Sequence, residues 1–217
     1  ETTFYSKDGA QAFLSTWNDK AILVFRGTQL MEHLPKKYEH LNFIQKFFIH
    51  ILIRLPINIF KLPLFNNDVV ADLQLCHARL TKTKGVAVHS GFLSETKKIW
   101  KEFIKDIRVL EGKIPLWVSG HSLGGAMATI TAMKCSVEAV TTFGEPRVGR
   151  KINKVISKNI HTRYVNGNDI VTKVPPSLFS YYLHHGNKKQ VENEDGTRDL
   201  LFDHSIINYS ENSYKNN

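Results

Sequence analysis

Cysteine is scarce: the 217-residue chain has two, Cys76 and Cys135. Two cysteines make no disulfide framework, so stability has to come from a packed core, and the redox compartment stays open. Acidic side chains are also in deficit, 20 against 29 Lys+Arg, for a formal net charge of +9. A surplus of that size favours anionic surfaces, with phospholipid headgroups and nucleic acid as the two candidates. The sequence contains no zinc spacing, no aromatic RNA-binding signature and no helix-turn-helix pattern, which argues against nucleic acid. It also lacks any stretch near the roughly 20 apolar residues that cross a bilayer, so no transmembrane span is expected. No repeat or linker divides it, and at 42% hydrophobic and 23% charged residues it reads as one domain over 1–217. The chain begins at Glu1 without a charged-then-apolar leader, the reading expected of a processed or trimmed protein; a secreted or membrane-peripheral location is favoured.

The most informative stretch that is present is IPLWVSGHSLGGA, residues 114–126. A β-favouring apolar run ends at Gly120, a small-residue helical run begins near Ala126, and Ser122 sits between them as Gly-His-Ser-Leu-Gly. A serine on a sharp strand-to-helix turn has strained backbone angles and needs neighbours without side chains, which the glycines provide. The N–H of Leu123 at the helix start then faces the place where a carbonyl oxygen would gain charge. Cys135 is read as a buried small apolar residue on this helix.

Before the elbow, residues 4–28 read as strands with turns at Lys7-Asp8-Gly9 and Asn18-Asp19. The continuous run Ala21–Phe25 is the pattern of a strand covered on both faces, and it exits through Arg26-Gly27-Thr28, a natural place for a second N–H donor. From Leu41 to Phe65 most positions are Ile, Leu or Phe, with Asn42, Lys46, His50 and Arg54 recurring every four residues as one polar stripe. The charges and Pro56 and Pro63 break up this apolar run. Two readings stand, a buried core helix or an interfacial lid with its basic residues toward headgroups, and the lid is preferred. Val69–Leu80 reads as a short element, Gly85–Phe92 as a strand running into a glycine turn, and Leu93–Leu110 as a helix.

After the elbow, Val137–Phe143 reads as a strand, Lys151–Ser157 as a helix-like stretch, Ile160–Val165 as a strand, and Tyr181–Val191 as a stretch that holds an edge strand. Asp203-His204-Ser205 opens a short final helix, with a frayed polar tail over 211–217. Alternating strands and helices argue for an α/β fold with a mainly parallel sheet.

A serine needs a base to take its proton and a carboxylate to orient the base, in the chain order Ser, Asp or Glu, His for α/β hydrolases. Asp169, in a Gly/Asn loop just past a strand, can be the acid, with Glu145 as rival. The base can be His184, His185 or His204, and order and context favour His204.

FRGT (25–28), VHSGF (88–92), GHSLGGA (120–126), TFGEPRVG (142–149), the run from Asp169 to Pro176 and a late histidine before a helix together resemble the class 3 lipase family, the fungal-lipase-like α/β hydrolases. The resemblance implies an α/β-hydrolase fold with a central, mainly parallel sheet flanked by helices; it does not cover about 30–66, where this chain departs from the family with an enlarged, unusually apolar lid or insertion. It implies Ser122 as nucleophile, Asp169 as orienting acid and His204 as base, with Thr28 and Leu123 N–H groups as the oxyanion hole. Glu145, Arg147 and His89 fall to scaffold roles. The implied activity is hydrolysis of acyl-ester lipids through an acyl-enzyme, without cofactor or metal. A phospholipase A-type esterase or an acyltransferase shares that chemistry, and a non-catalytic lipid-binding protein is the remoter alternative. Peripheral contact with an anionic lipid interface is the expected partner. The family's Trp-x-x-Asp-Leu segment has a departed counterpart here, Ala71-Asp72-Leu73 with Val69 in the tryptophan position, and it arrives only after the long apolar stretch.

Overall fold

Five parallel strands set the frame: β3 (Lys20–Phe25), β6 (Leu116–His121), β7 (Ala139–Phe143), β9 (His161–Asn166) and β10 (Asn187–Val191). Two antiparallel strands, β1 (Thr2–Lys7) and β2 (Ala10–Trp17), extend this sheet to seven in the order β1-β2-β3-β6-β7-β9-β10. The computed structural model describes residues 1–27, 77–78, 85–175, 177, 182–191 and 202–215. Thr28, Cys76, the Leu41–Phe65 stretch, Ala71–Leu73 and the turn expected at Glu192–Gly196 lie outside them. The β1–β2 turn uses Asp8 and Gly9, both at positive φ (49° and 81°), the arrangement whose twist matches a tight hairpin.

Helix α1 (Ser90–Leu110) and helix α2 (Leu123–Ala132) pack on one face of the sheet. α1 is amphipathic and turns Phe92, Ile99, Phe103 and Ile107 inward, whereas every residue of α2 is buried, as expected of a helix apolar all round. Phe103 meets Phe25 edge-on at 5.5 Å and Trp100 at 5.1 Å. Burying one such ring contributes about 1.5–3 kcal/mol. Helix α3 (Ile206–Lys215) packs on β9 from the opposite face, where Tyr209 meets Phe143 and His121. Among the described residues, no helix is long and apolar enough to cross a membrane.

Several expectations need correction. β3 is fully buried on one face only: Leu23 and Phe25 are covered while Ile22 and Val24 are half-buried, because α1 and α2 both take the same side. The other side carries a cavity of about 470 Å³ lined by Trp17, Ile22, Trp117 and Phe143. Ser90-Gly91-Phe92 is no glycine turn but the start of α1, capped by His89 Nδ1, which accepts the Gly91 N–H at 3.1 Å. Lys151–Ser157 holds only one 3-10 turn, Ile152–Lys154. The edge strand expected within Tyr181–Val191 is Asn187–Val191, and the C-terminal helix runs to Lys215 instead of fraying from Glu211. Cys135 lies past the end of α2 and is half-buried; burial and the nearby Glu111 charge push its thiol up to about 11. A short second sheet joins β4 (His77–Ala78), inside the expected short element, and β5 (Ala87–His89), inside the expected strand, to β8 (Gly149–Arg150), which the sequence had not signalled.

Register places the site. Phe25 pairs with Gly120, His121 with Phe143, and Phe143 with Tyr164, so the C-terminal ends of β3, β6, β7 and β9 share one edge. Gly27, Ser122, Gly144 and Asp169 all leave the sheet there, the edge at which open α/β sheets bind ligands.

Candidate active site

Ser122 adopts φ 57° and ψ −127°, a strained conformation for a residue with a side chain. The glycines on either side make it possible. A Cβ at Gly120 would stand 2.3 Å from Gly124 C and O, and one at Gly124 would stand 2.4 Å from Phe25 O. No other residue type fits such spacing, so strand β6, helix α2 and the end of β3 can close on one another only through glycine. The elbow is pinned by Ser122 N–H donating to Phe143 O at 2.9 Å.

The Ser122 hydroxyl faces His204 Nε2 at 2.9 Å, and His204 Nδ1 lies 2.8 Å from Asp169 Oδ2. A carboxylate only accepts, so Nδ1 carries the proton and Nε2 offers its lone pair to the hydroxyl. All three are buried, at 2%, 6% and 0% exposure, which strengthens each electrostatic contact. Ser122 and His204 are 82 residues apart and His204 and Asp169 are 35 apart, yet the three form one line.

The loop after β9 and the turn Phe202–His204 hold that line in place. Asn166 Nδ2 donates to Asp203 O at 3.0 Å, and Asn168 N–H donates to Asp203 Oδ2 at 2.7 Å. The far side of Asp169 is also filled. Val171 N–H donates to Oδ1 at 2.8 Å and the Tyr209 hydroxyl donates to Oδ2 at 2.6 Å. Burial first, and the Asp169 charge next, push the Tyr209 hydroxyl far above its ordinary range, so it stays a donor. His121 donates from Nε2 to His204 O at 2.8 Å and stacks on the His204 ring at 4.6 Å. Burial, then the His204 charge, push His121 down to about 4.

Of the expected oxyanion donors, Leu123 is the first residue of α2, where helical geometry leaves the N–H without an intrahelical acceptor. Thr28 lies outside the described residues. The structure brings Ser122, Asp169 and His204 together and leaves the rivals apart. Glu145 is buried and accepts from Thr129 at 2.5 Å, from Thr142 at 3.1 Å and from His161 at 3.4 Å. Burial works to raise its carboxyl, and the His161 charge with hydrogen bonds from His161 and Thr129 outweighs it, leaving Glu145 below the usual carboxylate range. His184 donates to Thr172 O at 2.7 Å and His185 to Ile156 O at 3.1 Å, so neither faces Ser122. Among the described residues, no group of three His, Cys, Asp or Glu side chains is placed to hold a metal.

Sequence reasoning missed Tyr209, Asp203 and the backing role of His121. None stands in a spacing pattern of its own. The one available signal was the position of His121 within Gly-x-Ser-x-Gly, where its side chain must leave the turn beside the base.

The sequence model of the family described as lipase (class 3) matches residues 64–179. Lipase A of Sodiomyces alcalophilus is 34% identical over 123 residues, 46% of this chain and 30% of that protein. The chloroplastic phospholipase A(1) of Arabidopsis thaliana is 34% identical over 110 residues, 42% of this chain and 25% of that protein. The chain thus aligns with only about a quarter to a third of these relatives. A fungal lipase in an inhibitor complex, described as a model for interfacial activation, superposes with a TM-score of 0.61 at 22% identity, covering 89% of this chain and 66% of that one. That likeness establishes the shared α/β-hydrolase fold.

Proposed function

The chain belongs to the class 3 lipase family, and on that premise we propose that it hydrolyses carboxylic esters of lipids, acylglycerols first, through an acyl-enzyme on Ser122. The observation that carries this reading is the unbroken line from the Ser122 hydroxyl through His204 to Asp169.

In this mechanism the Ser122 hydroxyl attacks the acyl carbonyl while His204 Nε2 takes its proton. Asp169 keeps the ring in the tautomer that can do so and stabilises the imidazolium as it forms. The Leu123 N–H and, by the family pattern, the Thr28 N–H hold the oxyanion; loss of one donor costs on the order of 10² to 10³ in rate. His204 returns the proton to the leaving alcohol. Water, deprotonated by the same imidazole, then releases the fatty acid and restores Ser122.

A phospholipase A reading is the second candidate, favoured by the 34% identity to a phospholipase A(1) and by the net charge of +9, which suits an anionic interface. Residues 1–217 are taken as one catalytic domain, with about 30–66 as the insertion that meets lipid. Hydrolysis of a panel of mono-, di- and triacylglycerols and of anionic and zwitterionic phospholipids, with products identified, tests both readings. Fatty acid release that is lost in Ser122→Ala supports ester hydrolysis, and the preferred substrate separates lipase from phospholipase. Ester hydrolysis undiminished in Ser122→Ala refutes the mechanism.

A further inference from the structure

A second cavity, of about 320 Å³, lies between the turn after β8, the start of β9 and the segment leading into β10. Lys151, Asn153, Lys158, Arg163, His184 and His185 line it, and among the described residues no acidic side chain does. It contains no member of the Ser122–His204–Asp169 line.

Two of its polar groups are unmatched. Arg163 is 5% exposed, yet among the described residues its Nε–H has no hydrogen-bond partner. His184 spends its Nε2–H on Thr172 O at 2.7 Å, so its Nδ1, also without a partner, presents a lone pair. A buried donor left unmade costs about 1–3 kcal/mol, and native proteins rarely keep one without a use. Glu145 is the carboxylate that feels Arg163, but its oxygens are engaged by Thr129, Thr142 and His161. Arg147 adds like charge next to Arg163 and donates from Nη1 to the carbonyls of Lys173 and Pro175.

We propose that this cavity is a binding site for a phosphate-class anion bearing one P–O–H group, whose oxygens accept from Arg163, Lys151 and Lys158 and whose proton is donated to His184 Nδ1. A fully ionised anion such as sulfate can satisfy Arg163 but has no proton for the His184 lone pair, whereas hydrogen phosphate, and a phosphomonoester at or below its second pKa of about 6, carry both functions. Burial of His184, with the Arg163 charge next, pushes its imidazole down to about 4, consistent with an acceptor and not a second cation. The same chemistry comes from a soluble phosphate or from a phosphomonoester lipid headgroup.

Calorimetric titration at fixed ionic strength near pH 6, where phosphomonoesters keep a P–O–H and His184 stays neutral, tests the site, with inorganic phosphate, glycerol 3-phosphate and sulfate as separate ligands. Vesicles of phosphatidylcholine with and without phosphatidic acid form the lipid arm. Phosphate is expected to bind at least about 10-fold more tightly than sulfate, the value of one hydrogen bond to a charged group. Arg163→Gln should abolish binding. Because Arg163 is buried and its loss can compromise folding, the double variant Lys151→Gln, Lys158→Gln, confined to exposed lysines, is the companion; it should weaken phosphate by about 10-fold or more with an unchanged Tm. Binding of the soluble phosphates identifies a soluble ligand. Binding only to vesicles with phosphatidic acid, lost in the double variant, identifies a headgroup. Sulfate bound as tightly as phosphate, undiminished binding in the double variant, or no binding in either arm overturns the proposal.

Discussion

Two buried carboxylate–histidine pairs lie against one sheet, and they end differently. Asp169 holds His204 at 2.8 Å, and Glu145 holds His161 at 3.4 Å; both carboxylates are almost wholly buried, and each accepts further donors. The difference is what the far ring nitrogen meets. His204 Nε2 meets the hydroxyl of a strained serine, while His161 Nδ1 meets a second imidazole, His185 Nδ1, at 3.2 Å. The first pair can move a proton to and from a reacting atom. The second closes on itself and ties β7, β9 and the segment before β10 together. A carboxylate–imidazole pair is therefore chemistry or scaffold according to its third partner, not its own geometry.

The comparison can be broken by substitution. Ser122→Ala should remove ester turnover by on the order of 10⁴-fold or more and abolish fluorophosphonate labelling. Its Tm should stay close to wild type, because the serine makes few packing contacts that alanine lacks. Asp169→Asn is expected to lower kcat by about 10³- to 10⁴-fold, since an amide no longer enforces the His204 tautomer. Glu145→Gln sharpens the contrast: kcat should stay within a few-fold, while thermal unfolding reports a stability loss of about 1.5–3 kcal/mol for each charged hydrogen bond weakened. If Glu145→Gln cut kcat as deeply as Asp169→Asn, the division between the pairs would be wrong.

Tyr209→Phe should have a smaller effect, a kcat decrease of about 10-fold with KM unchanged, because it removes one of the donors that fix Asp169. Steady-state kinetics separates this from a general loosening, which moves KM as well. The smallest effect concerns pH. His121, His184 and His185 are each pushed from an ordinary 6.5 down to about 4, burial being the largest cause in every case. The folded state refuses protons that the unfolded chain accepts, so their contribution to stability is complete above about pH 6.5 and is lost as pH falls through 4. Tm measured across that interval should fall, and His121→Gln should make the fall shallower.

The nucleophile elbow was legible in the residues because its constraint is local. Gly120 and Gly124 are required because any Cβ there would stand 2.3–2.4 Å from backbone atoms of the same strand-turn-helix unit and its neighbouring strand, and no distant residue can relieve that. The acid and base were legible only as an order along the chain. Glu145 and Asp169 both follow strands, and His184, His185 and His204 all come late, so composition and position left the pairs open until the family resemblance narrowed them. Tyr209 and Asp203 gave no signal, since a tyrosine on a helix and an aspartate before a histidine are ordinary.

Patterning along the chain determined the elements, the mainly parallel sheet and the serine's strained turn, since each follows from steric and apolar periodicity over a few residues. Folding in three dimensions decided which carboxylate meets which imidazole, which face of β3 is covered, and that Arg163 is buried without a partner for its Nε–H. Those outcomes depend on contacts between segments tens of residues apart, set by strand register and helix packing, which no local pattern encodes.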